Sequence, residues 1–227
     1  MEQQMQQPLS LTRARLKTPR AAAIAGIVFS VLLTTTLVLL RISVPAISPE
    51  MQDWSAIRSG TVVLALNLVP FAGIAFLWFI GVVRDRLGAS EDRFFATVFF
   101  GSGILFLAMF FAASAVAGAM ILVLSAAPKQ MIESGAYAFG RAISAQIMNV
   151  FALKMAGVFM ISTATLARRT HILPGWITLP GYVLAALLLL SSRFADWLTL
   201  VFPLWVLVLS LYILVENLRG TQPGAAA

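Results

Sequence analysis

Charged residues fall in short stretches of this chain, and between them the apolar positions run on with little interruption. Arg20, Arg41, Arg84, Arg93, Arg168, Arg193 and Arg219 divide it into runs close to the roughly 20 residues that a helix needs to cross a bilayer. The pattern predicts six spans, near 21–40, 61–83, 95–122, 147–167, 173–191 and 196–215. The expected fold is therefore all-α, a polytopic transmembrane helix bundle of about six spans occupying 21–216. A basic N-terminal tail, 1–20, and a C-terminal tail, 217–227, have nothing to bury and are expected to be disordered. The first run lacks an A-x-A-like cleavage site before its polar flank and reads as a retained helix. The run from Phe94 to Ala127 is long for one span and short for two, and is read as one long tilted helix, with two spans here, and seven in all, as the alternative.

Between the spans, SPEMQDWSAIRSG predicts a short interfacial helix, with Ser48 capping it, Pro49 at its first position and Met51, Trp54 and Ile57 at helical spacing. The loop at about 128–146 is expected to be partly helical. Before the fifth span the echo Leu173-Pro174-Gly175-Trp176 and Leu179-Pro180-Gly181-Tyr182 predicts a turn at the first Pro-Gly and a kink or interfacial helix start at the second. The small residues Ala112-Ala113-Ser114-Ala115 and Gly118-Ala119 predict close helix packing.

Composition agrees with a membrane setting: 60% of the 227 residues are hydrophobic and 11% charged, well away from soluble domains. A net charge of +7 would point to nucleic acid in a soluble protein, but here it resolves into topology. Ten of the 16 Lys and Arg residues fall on the N-terminal side of the predicted spans, five on the other side, and Lys154 lies within a span. The positive-inside rule then puts both termini in the cytoplasm, with the bilayer as the principal partner and no nucleic acid. The absence of cysteine excludes disulfides and thiolate metal sites. No span carries a carboxylate or histidine at mid-depth, and no phosphate loop, Ser/His/Asp order or zinc spacing is present, so the expectation is no enzyme, no cofactor and no metal. His171, beside Arg168 and Arg169, reads as a solvated loop residue.

Lys154 is the exception, an ionisable residue about seven positions into the fourth span. Asn67 is expected at the same depth on the second span, and Pro70, a turn later, frees a backbone carbonyl there. Ser114 and Thr35, within the run Thr34-Thr35-Thr36, reach the same half of the membrane from the third and first spans. Together these residues form a candidate polar pocket with Lys154 as an anion-seeking charge. The alternative is that Lys154 snorkels to Asp196 or Glu133 and only ties helices together.

The stretch GVVRDRLG, with Gly81, Asp85, Arg86 and Gly88, resembles the G-x-x-x-D-R-x-G loop signature of major facilitator transporters. The resemblance implies a cytoplasmic gating loop, in which Asp85 and Arg86 join a charge network that stabilises one state of alternating access. Those transporters have two six-helix halves, so it also implies a homo-oligomer here. The chain as a whole, especially LVPFAGIAFLWFIGVVRDRLGASEDRFF, looks like uncharacterised bacterial integral membrane proteins, which implies a multi-pass protein of the bacterial inner membrane. Two functions follow as expectations: a small permease for a polar or anionic solute, or a non-catalytic subunit that packs against a partner membrane protein through its third helix.

Overall fold

The computed structural model describes residues 18–43, 59–87, 93–169, 174–190 and 196–219, and among these only Ala127, Ser134, Gly135 and Pro174 lie outside a helix. The order is α1 (Thr18–Ser43), α2 (Ser59–Leu87), α3 (Arg93–Ala126), α4 (Pro128–Glu133), α5 (Ala136–Gln146), a π-helical segment (Ile147–Ala152), α6 (Leu153–Arg169), α7 (Gly175–Leu190), a 3-10 turn (Asp196–Leu200) and α8 (Val201–Arg219). The all-α transmembrane bundle is as expected, and the protein is a multi-pass membrane protein.

Five helical stretches are long and apolar enough to cross a bilayer: Ala21–Ile42, Gly60–Arg84, Phe94–Ala126, Ala136–Arg169 and Trp197–Leu218. The third is a single unbroken helix of 34 residues, about 51 Å long at 1.5 Å per residue, against a hydrocarbon core of about 30 Å. The fourth starts earlier than the sequence predicts. Gly135, at φ 73°, allows a sharp reversal after α4, and α5 then runs through the π segment into α6. The fifth predicted span is shorter than expected, since α7 has 16 residues, about 24 Å. Its start is fixed at Gly175, where the Pro174 carbonyl accepts the Ile177 N–H at 3.1 Å. The helix continues through Pro180. The predicted interfacial helix at 48–58, His171 and both terminal tails lie outside the described residues.

Successive long helices alternate in direction. Arg41 near the end of α1, Val62 near the start of α2, Ile121 late in α3, Asn149 in the π segment and Trp197 before α8 all line one cleft, so these ends meet at one pole of the bundle. At the other pole the Arg169 guanidinium lies 4.6 Å over the Phe95 ring, and Trp176 meets Tyr212 edge-on at 6.0 Å. The described chain consequently begins and ends at the same pole.

The core is built from phenylalanine. Phe29, Phe76, Phe79, Phe99, Phe106, Phe110, Phe159 and Phe202 are all essentially fully buried. Phe76 alone has ring neighbours from α1, α2, α3, α6 and α8, at centroid distances of 4.5 Å (Phe29), 6.3 Å (Phe79), 5.4 Å (Phe106), 5.3 Å (Phe159) and 5.7 Å (Phe202). Lipid tails are as apolar as these rings, so the bundle is held by close packing and dispersion more than by transfer from water. Small residues bring the backbones near enough: a Cβ at Gly26 in α1 would run into Ser210 Oγ and the Phe79 ring. Ten of the 17 residues of α6 are buried, which makes it the central helix. It is tied to α7 by a 2.9 Å hydrogen bond between the Thr165 and Tyr182 hydroxyls.

Candidate functional site

The polar residues singled out from sequence are not gathered in one place. Asn67, Pro70 and Thr35 are exposed on the outside of the bundle. The helical phase explains this: Ala65, Val69, Ala72 and Phe76 form the buried stripe of α2, and Asn67, two residues past Ala65, is turned about 200° away from it. Thr35 is likewise displaced from its buried neighbour Thr36, whose hydroxyl donates to the Ala65 carbonyl at 3.4 Å. Ser114 donates to the Phe110 carbonyl of its own helix at 2.8 Å, so its hydroxyl is satisfied locally. Lys154 is half-buried at the start of α6, and no described residue forms a hydrogen bond or ion pair with it. Glu133 is exposed on α4. Asp196 opens the 3-10 turn, with its side chain outside the described residues.

The glycine-flanked signature lies on helix for most of its length. Gly81 is exposed with open space around its Cα, and α2 continues through Asp85 and Arg86 to Leu87. The last turn of the helix thus occupies what the sequence reading places in a loop, consistent with the favourable position of Arg84 and Arg86 at the negative end of a helix dipole. The side chains of Asp85 and Arg86, and Gly88 entirely, fall outside the described residues.

A different constellation does come together, at the pole where α1 ends. A cleft of about 560 Å³, open to the surroundings, lies between α1, the starts of α2 and α8, the far half of α3, and the α5–π segment. Twelve of its 17 lining residues have apolar or aromatic side chains, and its polar groups are Arg41, Arg141, Ser144, Asn149 and Thr199. No carboxylate lines it among the described residues. The Arg41 guanidinium is held 4.4 Å over the Trp197 ring, a contact that orients the cation. Ser144 donates to the Ala113 carbonyl of α3 at 2.9 Å, fixing α5 against the small-residue stretch of α3. One turn on, Asn149 lies in the π segment, whose wider backbone turn recurs at functional sites in helical proteins. Among the described residues no three His, Asp or Glu side chains converge as a metal site.

Sequence reasoning missed this cleft. Its signal lies in the charge count: Arg41 and Arg141 are two of the few basic residues on the side where such residues are scarce, and scarcity marks them for a role other than topology. No family model, curated protein or solved structure matches this chain.

Proposed function

We propose that this multi-pass membrane protein is a small permease-like protein whose solute-recognition site is the arginine-bearing cleft, and that it takes an anionic solute there without chemical catalysis. The observation that carries the reading is the half-buried Arg141, beside Ser144 and Asn149 on the wall of one open cleft, with no carboxylate among the described lining residues. A buried or half-buried cation is costly without a counter-charge, and a ligand anion supplies it. In this reading the pole bearing the exposed Arg84, Arg168 and Arg169 faces the cytoplasm, as the positive-inside rule requires, and the cleft opens on the far side of a bacterial inner membrane. Lys154, a half-turn beyond the π segment, is the next cation along α6 and a second stop for an anion moving inward.

The competing reading, a non-transporting subunit, draws support from the phenylalanine core, which packs apolar rings from five helices against one another at the centre of the bundle. It draws none from the small residues of α3, because Ala113 is buried under α5 and Gly118 faces Leu66 of α2, so that side of the helix is occupied within the chain.

The chain has no cysteine, so single cysteines placed at Ala145, Asn149, Lys154 and Phe159 in intact cells report access to a membrane-impermeant thiol reagent. Labelling at 145 and 149 from outside, with protection at 159, is the expected result. Protection at 145 and 149 in a folded, inserted protein removes the recognition site and leaves the subunit reading; labelling at 154 as well would extend the water-filled path down α6.

A further inference from the structure

We infer that the outer face of α2 is where two copies of this chain pair, with Asn67 of each copy hydrogen-bonded to Asn67 of the other inside the membrane. Leu64, Asn67, Phe71, Ile74, Trp78 and Gly81 follow one another at alternating steps of three and four, the spacing that keeps side chains on one seam between two supercoiled helices. All six are exposed, the four large apolar ones by 52–69%. Within the chain, α2 turns a different face, Ala65, Val69, Ala72 and Phe76, to its neighbours. That packing does not require Gly81, where an added Cβ would meet no atom within 4 Å; against a second copy it lets the helix backbones approach. The cleft is separate from this seam, since Val62 is what α2 contributes to it.

Lipid alone would serve the apolar members of the seam, but Asn67 requires more. It lies five residues, about 7.5 Å along the helix, from Ala72 at the middle of the Gly60–Arg84 span, well inside a hydrocarbon core whose half-thickness is about 15 Å. Its carboxamide forms no hydrogen bond to any described residue, and an amide left unpaired in hydrocarbon is costly. A carboxamide carries both donors and an acceptor, so an identical residue is a complete partner for it. Two copies inserted in the same sense are related by a two-fold axis along the membrane normal, which sets α2 beside its counterpart and brings each residue on the axis to its own equivalent at the same depth. Symmetry therefore places Asn67 against Asn67, and one amide in an otherwise apolar seam fixes its register, as a single asparagine does in coiled coils.

The test uses the full, cysteine-free chain with single cysteines, oxidised in native membranes with copper phenanthroline. Phe71→Cys and Ile74→Cys are expected to give disulfide-linked dimers, since the bond forms only when two Cα atoms come within about 7 Å. Val183→Cys, 64% exposed on α7, should remain monomeric. The strength of pairing is read separately, by energy transfer between copies labelled on a cysteine added after Ala227 and diluted in phosphatidylcholine vesicles. Asn67→Leu should weaken the dimer about five-fold, the scale of one interhelical hydrogen bond in a membrane, without lowering the Tm of the monomer in detergent. Asn67→Gln, which keeps the carboxamide, should retain most of the affinity. Crosslinking at 71 and 74 no greater than at 183, or energy transfer no higher than random mixing gives, would overturn the pairing and leave this face to lipid. Crosslinked products of a mass other than two copies would assign the face to a different protein and overturn it as well. An Asn67→Leu dimer as tight as the native one would overturn the Asn67 hydrogen bond as what holds the seam.

Discussion

The two ends of this bundle are built on opposite terms. Through its middle, five helices meet in a cluster of closely packed, buried phenylalanine rings. At the pole where α1 ends, α1, α2 and α3 border an open cleft with α5, the π segment and the 3-10 turn, and it places two arginines, a serine and an asparagine against apolar walls. The first region specifies how the helices sit against one another. The second gives up packing to keep a recess, and a recess of that size persists in a membrane protein because the closely packed region beneath it fixes the spacing of its walls. The difference separates the residues that hold the fold from those that carry a function, and substitutions in the two regions should behave differently.

The largest effect should come from the centre of the closed region. Phe76→Ala removes a ring with five aromatic neighbours on five helices, and the cavity left behind should cost about 3 kcal/mol in unfolding free energy, read from denaturant titration of the purified protein in detergent. Arg141→Gln in the open region should leave the same titration unchanged. A loss of equal size at Arg141 would mean that the cleft is structural, and the contrast between the two regions would collapse.

Next is the backbone contact that brings α1 against α8. Gly26→Val puts a branched side chain where Ser210 Oγ and the Phe79 ring already stand, and overpacking of this kind costs about 1–3 kcal/mol. Gly101→Ala, where no atom lies within 4 Å of the added Cβ, should be neutral or stabilising by up to about 1 kcal/mol, since alanine restricts the unfolded chain and favours helix. Equal behaviour of the two variants would show that close approach of α1 and α8 is not what holds them.

How much of this was legible in the sequence follows from the same contrast. The order of the helices, and the limits of the first three spans and the last to within a few residues, could be read because charges interrupt apolar runs at membrane-length intervals, and depth along each helix followed from counting residues. Facing did not follow. In a soluble helix the polar side marks the surface, but here the lipid side and the core side are both apolar, and periodicity carries almost no directional information. Asn67 and Lys154 were therefore placed at equal depth with no means of seeing that Asn67 points outward, and nothing in the spacing of Phe29, Phe76, Phe106 and Phe202 announced that they meet. The extension of the fourth span back to Ala136 was hidden by Arg141, Ser144 and Gln146, polar residues that break an apolar run yet sit comfortably in a helix bordering an open cleft. The short α7 was foreshadowed by Pro174-Gly175, which does set its start.

The smallest effect tests whether a polar tie inside the closed region behaves as it would in water. Thr165 and Tyr182 share a 2.9 Å hydrogen bond between α6 and α7, while the Thr165 hydroxyl also lies 2.8 Å from the Ile161 carbonyl of its own helix. Because Thr165 keeps that local acceptor, Tyr182→Phe leaves no stranded donor on α6, and the loss should be about 0.5–1 kcal/mol. Thr165→Val removes the other partner, and the double variant should cost no more than the larger single one if the two hydroxyls act as a pair. The short α7 has close backbone packing at Gly157, where an added Cβ would sit 3.1 Å from the Ala185 carbonyl, so the hydroxyl pair is not its only attachment to α6. A coupling energy near zero in that cycle would assign the attachment of α7 to this glycine contact alone, and the polar tie would then serve only to satisfy two hydroxyl groups away from water.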